Sequence, residues 1–132
     1  MSILFFSCKK KICDANTNGR IIGYDPCRHY YSGRPIYGSG FVIEIDNGTP
    51  KDTVVTYQIP DNLFEFKDSY IDGYSSFLFR PQVQDMFKIK LSYRYAADNE
   101  KTIYASACLA PTGYFDAATR GKEIFISCIT KQ

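Results

Sequence analysis

From Phe87 to Tyr95 apolar and polar side chains alternate without a break. Phe87, Ile89, Leu91, Tyr93 and Tyr95 take one side, and Lys88, Lys90, Ser92 and Arg94 take the other. A period of two is the signature of a half-buried strand, so this run predicts one buried face and one basic, wet face. A second run, Phe41, Ile43 and Ile45 against Val42, Glu44 and Asp46, repeats the pattern. Asn47-Gly48 follows it as a strong turn signal and leads through Pro50 into Thr53–Ile59, which reads as a β-hairpin with a slightly long loop. An earlier strand, Gly19–Tyr24, is stopped by Asp25-Pro26, because proline cannot donate to a ladder.

After the hairpin, Pro60-Asp61-Asn62 breaks the pattern, and Leu63–Phe66 is expected as one helical turn capped by Asp61. Residues 67–85 are ambiguous; Tyr74–Phe79 has strand character, confined by Asp72-Gly73 and Arg80-Pro81. Asp98-Asn99 marks a turn, Lys101–Leu109 is expected to return as a strand, and a loop from Ala110 to Gly121 precedes a last strand, Glu123–Ile129. Short strands, turn signals between them and no helix of three turns predict an all-β fold, a small closed or nearly closed β-barrel of five to six strands or else a sandwich. The expected core is Phe41, Ile43, Ile45, Phe87, Ile89, Leu91, Ile124 and Ile126.

Composition agrees with one folded domain. The chain has 132 residues, 45% hydrophobic and 23% charged, with 11 Tyr, 10 Phe and no Trp. Such aromatic richness favours strands. A net charge of +2 does not by itself demand a polyanionic partner. No segment approaches the roughly 20 apolar residues of a membrane-spanning helix.

Met1-Ser2-Ile3-Leu4-Phe5-Phe6-Ser7-Cys8, followed by Lys9, Lys10 and Lys11, resembles the end of a bacterial lipoprotein signal peptide, where a small residue precedes the cysteine that is lipidated. The basic leader is missing, the apolar stretch is short, and Phe5 stands where such signals usually carry Leu; a truncated start, or a start codon assigned too late, would explain the missing half. The resemblance implies lipidation at Cys8. Residues 1–18 are then a signal remnant and flexible tether, and residues 19–132 a single barrel domain. The competing reading makes Ile3–Phe6 a buried edge strand and Cys8 an ordinary thiol.

With Cys8 set aside, Cys13, Cys27, Cys108 and Cys128 remain. Four cysteines in an exported domain of this size suggest disulfides, in three possible pairings. Cys27 and Cys108 both stand at expected strand ends beside long loops, which favours their pairing over the competing Cys27–Cys128. Cys13 and Cys128 then pair with each other, or Cys128 stays a buried hydrophobe. No Cys-x-x-Cys is present, and Cys27 and His29 have neither zinc-site spacing nor a third group to orient a catalytic pair. No metal site and no cofactor are expected.

A terminal Ser7-Cys8-Lys9, the strand Gly19-Arg20-Ile21-Ile22-Gly23, the strand Gly40-Phe41-Val42-Ile43-Glu44-Ile45-Asp46, the turn Ile59-Pro60-x-x-Leu63 and a closing Ile124-x-Ile126-Ser127-x-Ile129-x-Lys131 are similar to small exported bacterial lipoproteins of uncharacterised function. The order of strand, long loop, hairpin, helical turn and further strands resembles an oligonucleotide/oligosaccharide-binding (OB-like) barrel. Neither resemblance brings catalytic or binding residues with it.

The segment Tyr24–Gly40 is the strongest functional candidate. Tyr24, Tyr30, Tyr31 and Tyr37 are grouped here with Arg20, Arg28 and Arg34, residue types that anchor interfaces and stack on sugars or bases. The competing view packs the tyrosines over the barrel end. Lys88, Lys90 and Arg94 form a second, weaker candidate, since a wet strand face needs polar residues anyway. Asn47-Gly48-Thr49 is read as a turn rather than a glycan acceptor. Glu44, Asp46, Glu65 and Asp68 supply carboxylates, yet nothing sets two of them across a cleft. The expectation is a monomeric, non-catalytic binding module of the cell envelope, membrane-held through its lipid, with an envelope protein or glycan as partner. The alternative is a nucleic-acid-binding barrel, which disulfides and a lipid anchor disfavour.

Overall fold

The computed structural model describes residues 13–24, 40–48, 51–60, 62–72, 77–101 and 122–132. Five strands form one antiparallel sheet: β1 (Thr17–Tyr24), β2 (Phe41–Ile45), β3 (Asp52–Thr56), β4 (Lys88–Tyr95) and β5 (Ile124–Lys131). Their spatial order is β3-β2-β1-β4-β5. The only α-helical turn among the described residues is α1 (Pro81–Gln84), continued by a 3₁₀ turn at Asp85–Phe87; another 3₁₀ turn covers Asp68–Tyr70. The mostly-β expectation holds.

Alternation places the core where the sequence puts it. Ile43, Ile45, Phe87, Ile89, Leu91 and Ile124 are buried in one cluster, and Phe41, Tyr93 and Ile126 pack against it half-buried. Lys88 and Lys90 are exposed between their buried neighbours.

β1 departs from simple alternation. Its register with β2 runs Ile21↔Ile43 and then Gly23↔Val42, so Ile22 is an extra residue. Such a bulge re-aims the side chains beyond it. Ile21 and Tyr24 both face the main core, whereas Ile22 faces the other side with Val42 and Val55. Beyond the bulge β1 also changes partner. Thr17–Arg20 pair with β4, while the Tyr24 amide donates to Phe77 O (3.0 Å) and the Phe79 amide donates to Ile22 O (2.7 Å). This crossing needs Gly23, because a Cβ there would press on the Phe77 carbonyl oxygen.

Segment 59–71 closes one end of the core with aromatic rings. Phe66 lies 4.9 Å from Phe41 and 5.0 Å from Phe87, and Phe64 stands edge-on to Phe87 at 5.2 Å. The helical turn expected at Leu63–Phe66 is absent. A tight turn at Asn62–Leu63, with the Leu63 amide on Pro60 O (3.1 Å), leads into irregular chain, from which Leu63, Phe64 and Phe66 all pack against the core. The helix forms instead at Pro81, in the first-turn position where a missing N–H costs nothing. Tyr95 is also corrected: it is 49% exposed. It lies on the same side as Tyr93 (rings 5.9 Å apart) but past the rim of the core.

The edge strands β3 and β5 touch without forming a continuous ladder. One parallel bridge joins Val55 and Glu123, with the Val55 amide on Lys122 O (3.0 Å). The Gln58 side-chain oxygen accepts from the Ile126 amide (2.8 Å).

Chain upstream of β1 is held to the sheet. Cys13 and Cys128 form a disulfide with their Cα atoms 5.5 Å apart. Ser92 Oγ donates to Asp14 O (2.6 Å). The sheet begins at Thr17, inside the stretch expected to be a tether. The expected strand Lys101–Leu109 lies, but for Lys101, outside the described residues.

Candidate functional site

Of the six residues proposed to meet a ligand, Tyr24 is the one among the described residues. Its ring is 1% exposed and packs 5.7 Å from Phe79 and 6.1 Å from Phe41. Tyr24 is therefore a core residue, turned inward by the Ile22 bulge, and not a surface contact. Arg28, Tyr30, Tyr31, Arg34 and Tyr37 lie outside the described residues, as do Cys8, Cys27, His29 and Cys108. The disulfide of Cys13 with Cys128 removes Cys128 as a partner for Cys27.

The outer surface of β1, β2 and β3 is built in two rows. Cross-strand pairing sets Ile22, Val42 and Val55 beside one another, buried outside the main core with Tyr57, Phe77 and Leu78 packed against them. This apolar row lies at the end of the sheet where β1 leaves for residues 25–39 and β2 returns.

The next row is charged. Arg20 pairs across the strands with Glu44. Its Nε donates to Glu44 Oε1 (3.0 Å), and its Nη1 reaches Asp85 Oδ1 (2.9 Å). Lys51 Nζ donates to the same Glu44 oxygen (3.2 Å). Burial alone would raise the Glu44 carboxyl, but Arg20 and Lys51 together outweigh it and hold the carboxyl below its ordinary value. These side chains line a polar cleft of about 300 Å³ with Asn18, Asp46 and Lys88. Arg20 is thus oriented by two carboxylates. With its cations and carboxylates matched, the cleft suits a neutral ligand better than a polyanion.

A second polar cluster sits at the seam between β3 and β5. The Tyr95 hydroxyl donates to Asp52 Oδ2 (2.8 Å), and Lys122 Nζ lies 3.5 Å from Asp52 Oδ1. The hydrogen bond to Asp52 chiefly pushes the Tyr95 phenol up to about 12, and the same bond leads in holding Asp52 low. Both effects come from a structural contact across the seam.

The basic face is narrower than the alternation predicts. Arg94 is clamped by Glu100 through two bonds (2.8 and 2.7 Å) and stacks over Phe125 at 4.8 Å. Arg94, followed by the Ala97 amide, lowers Glu100 to about 2. Lys88 and Lys90 are left as the exposed pair. Gly48 carries a positive φ of 106°, as a turn glycine should. Among the described residues no group of three or more His, Cys, Asp or Glu is placed to hold a metal.

The sequence reading did not find Asp85, Lys51 or Asp52. Arg20 and Glu44 carried a weak signal, opposite charges on neighbouring strands, which is usable only once the register is known. The chain matches no protein-family model, no curated protein and no solved structure.

Proposed function

We propose that the protein is a non-catalytic binding module of the bacterial cell envelope, held by a lipid on Cys8, with an envelope protein or a glycan as ligand. The supporting observation is the sheet order β3-β2-β1-β4-β5 together with the parallel contact of β3 and β5. It fits a nearly closed, OB-like barrel. Such barrels bind ligands on the face of strands 2 and 3 and with the loops joining strands 1–2 and 4–5. In this chain the first of those loops is the segment with Arg28, Tyr30, Tyr31, Arg34 and Tyr37. The tie between Cys13 and Cys128 fits an oxidising compartment and leaves Cys27 and Cys108 as natural partners for each other.

The test is titration of the unlipidated chain with purified envelope glycan fragments and with single-stranded oligothymidylate, each at 50 and 200 mM salt. Saturable glycan binding that barely changes with salt, and is lost in Tyr30→Ala/Arg34→Ala, is the expected result. Oligonucleotide binding that falls steeply as salt rises would reverse the reading. Non-reducing peptide mapping checks Cys27–Cys108; free thiols at both positions in protein from an oxidising compartment would exclude it.

A further inference from the structure

We propose that the polar cleft on the outer face of β1, β2 and β4 is a binding site for a short peptide with a free ammonium at one end and a free carboxylate at the other. Cross-strand pairing sets Glu44, Arg20 and Lys88 in one row over the three strands. Asn18 and Asp46 occupy the next row, where the Asp46 amide donates to Asn18 O (3.0 Å). These residues line the cleft together with Lys51 and Asp85. Most of its charges already have partners: Arg20 bonds Glu44 and Asp85, and Lys51 shares Glu44. Asp46 and Lys88 are the charged members of the cleft with no ion pair among the described residues, and both are exposed.

These two charges of opposite sign stand at opposite corners. Neighbouring strands lie about 4.8 Å apart, so β2 and β4 are about 10 Å apart across β1. Asp46 is two residues beyond Glu44, about 7 Å along β2. The diagonal from Asp46 to Lys88 is therefore roughly 12 Å at the backbone. An extended tripeptide spans roughly 10 Å, which sets its ammonium at Asp46 and its carboxylate at Lys88. Between the corners, Arg20 is held from both sides by Glu44 and Asp85 and offers a fixed donor to a peptide carbonyl. The Asn18 side-chain amide can both donate to and accept from a peptide unit. The cleft volume of about 300 Å³ lies at the small end of ligand sites and suits two or three small residues. A polyanion would meet Glu44, Asp46 and Asp85, and a sugar ring would find no aromatic side chain among the lining residues.

The experiment uses the full, unlipidated, disulfide-bonded chain, isotope-labelled and followed by amide NMR shifts. It is titrated with trialanine, N-acetyl-trialanine and trialanine amide. Saturable shifts centred on Asn18–Arg20 and Glu44–Asp46 are expected with trialanine, and each blocked peptide should bind about tenfold more weakly. Asp46→Asn should weaken trialanine and trialanine amide about tenfold and leave N-acetyl-trialanine unchanged. Lys88→Gln should weaken trialanine and N-acetyl-trialanine by a similar factor and leave trialanine amide unchanged. Because the peptides differ only at their ends, this crossed pattern separates pairing of the end charges from any loss of fold. Three results overturn the proposal: trialanine shifts that are absent or centred elsewhere, blocked peptides that bind as well as the free one, or variants that weaken all three peptides alike. The glycan titration above is read through Tyr30 and Arg34, and its failure leaves the peptide result standing.

Discussion

Replacing Cys13 and Cys128 together by alanine should cost about 5 kcal/mol of stability. The bond closes a ring across a sequence separation of 115 residues. In the chain-entropy treatment, a ring of that size removes roughly 16 cal/mol/K from the unfolded ensemble, about 5 kcal/mol at room temperature. The native state loses little by comparison. Cys13 is exposed, the neighbouring Asp14 is held through Ser92, and the sheet starts independently at Thr17. The effect therefore acts mainly on the unfolded chain. It is large against the roughly 5–15 kcal/mol that folded domains of this size possess.

The assay is urea and thermal denaturation, followed by circular dichroism, of the double variant against its parent, both carrying Cys27→Ser and Cys108→Ser so that no second bridge shortens the ring. A chain of this length loses about 4 °C of Tm per kcal/mol, so the midpoint should fall by about 20 °C. The urea slope should rise, because an unringed chain exposes more surface on unfolding. A drop below about 5 °C would refute the reasoning: it would mean that the unfolded chain already keeps its ends together without the bond.

Three further outcomes are expected. Tyr95→Phe should remove a phenol that titrates near 12. Because that value is raised in the fold, its contribution is complete below about pH 10 and fades toward pH 12; a 295 nm titration identical in the two proteins would contradict the Asp52 contact. Glu44 and Asp52 are held low and Glu100 lies near 2, so their stabilisation is present above about pH 4.3 and disappears as pH falls further; a Tm unchanged between pH 7 and pH 2.5 would count against these pairs. Gly23→Ala should cost about 1–3 kcal/mol by forcing a Cβ onto the Phe77 carbonyl; an unshifted urea midpoint would show that segment 77–79 does not cross β1 there.

Strands β2 and β4 were legible because one of their faces is wet, so period two is written into the residue types. β1 was only half legible. Ile21-Ile22 are adjacent and both apolar, and nothing in that pair says that the second is a bulge. Since the bulge decides which way Tyr24 points, a core residue was read as part of a binding loop. Pro81 reads in the sequence as a boundary and not as a helix start, because proline marks both. The Arg20, Glu44 and Asp85 group draws on three distant segments and depends on the β1–β2 register. Cysteine pairing is likewise a tertiary property: the partner of Cys128 is fixed by how residues 13–16 run along β4 and β5, which no spacing rule encodes.

β5 is tied to distant parts of the chain at both ends. At its start Lys122 O takes the Val55 amide and Glu123 O takes the Ala96 amide; at its end the Gln132 amide reaches Lys88 O (3.0 Å). In between, Cys128 holds the N-terminal segment. A solvent-facing edge strand invites pairing with other chains, and here the Val55–Glu123 bridge and the Gln58 oxygen on the Ile126 amide cover the start of that edge.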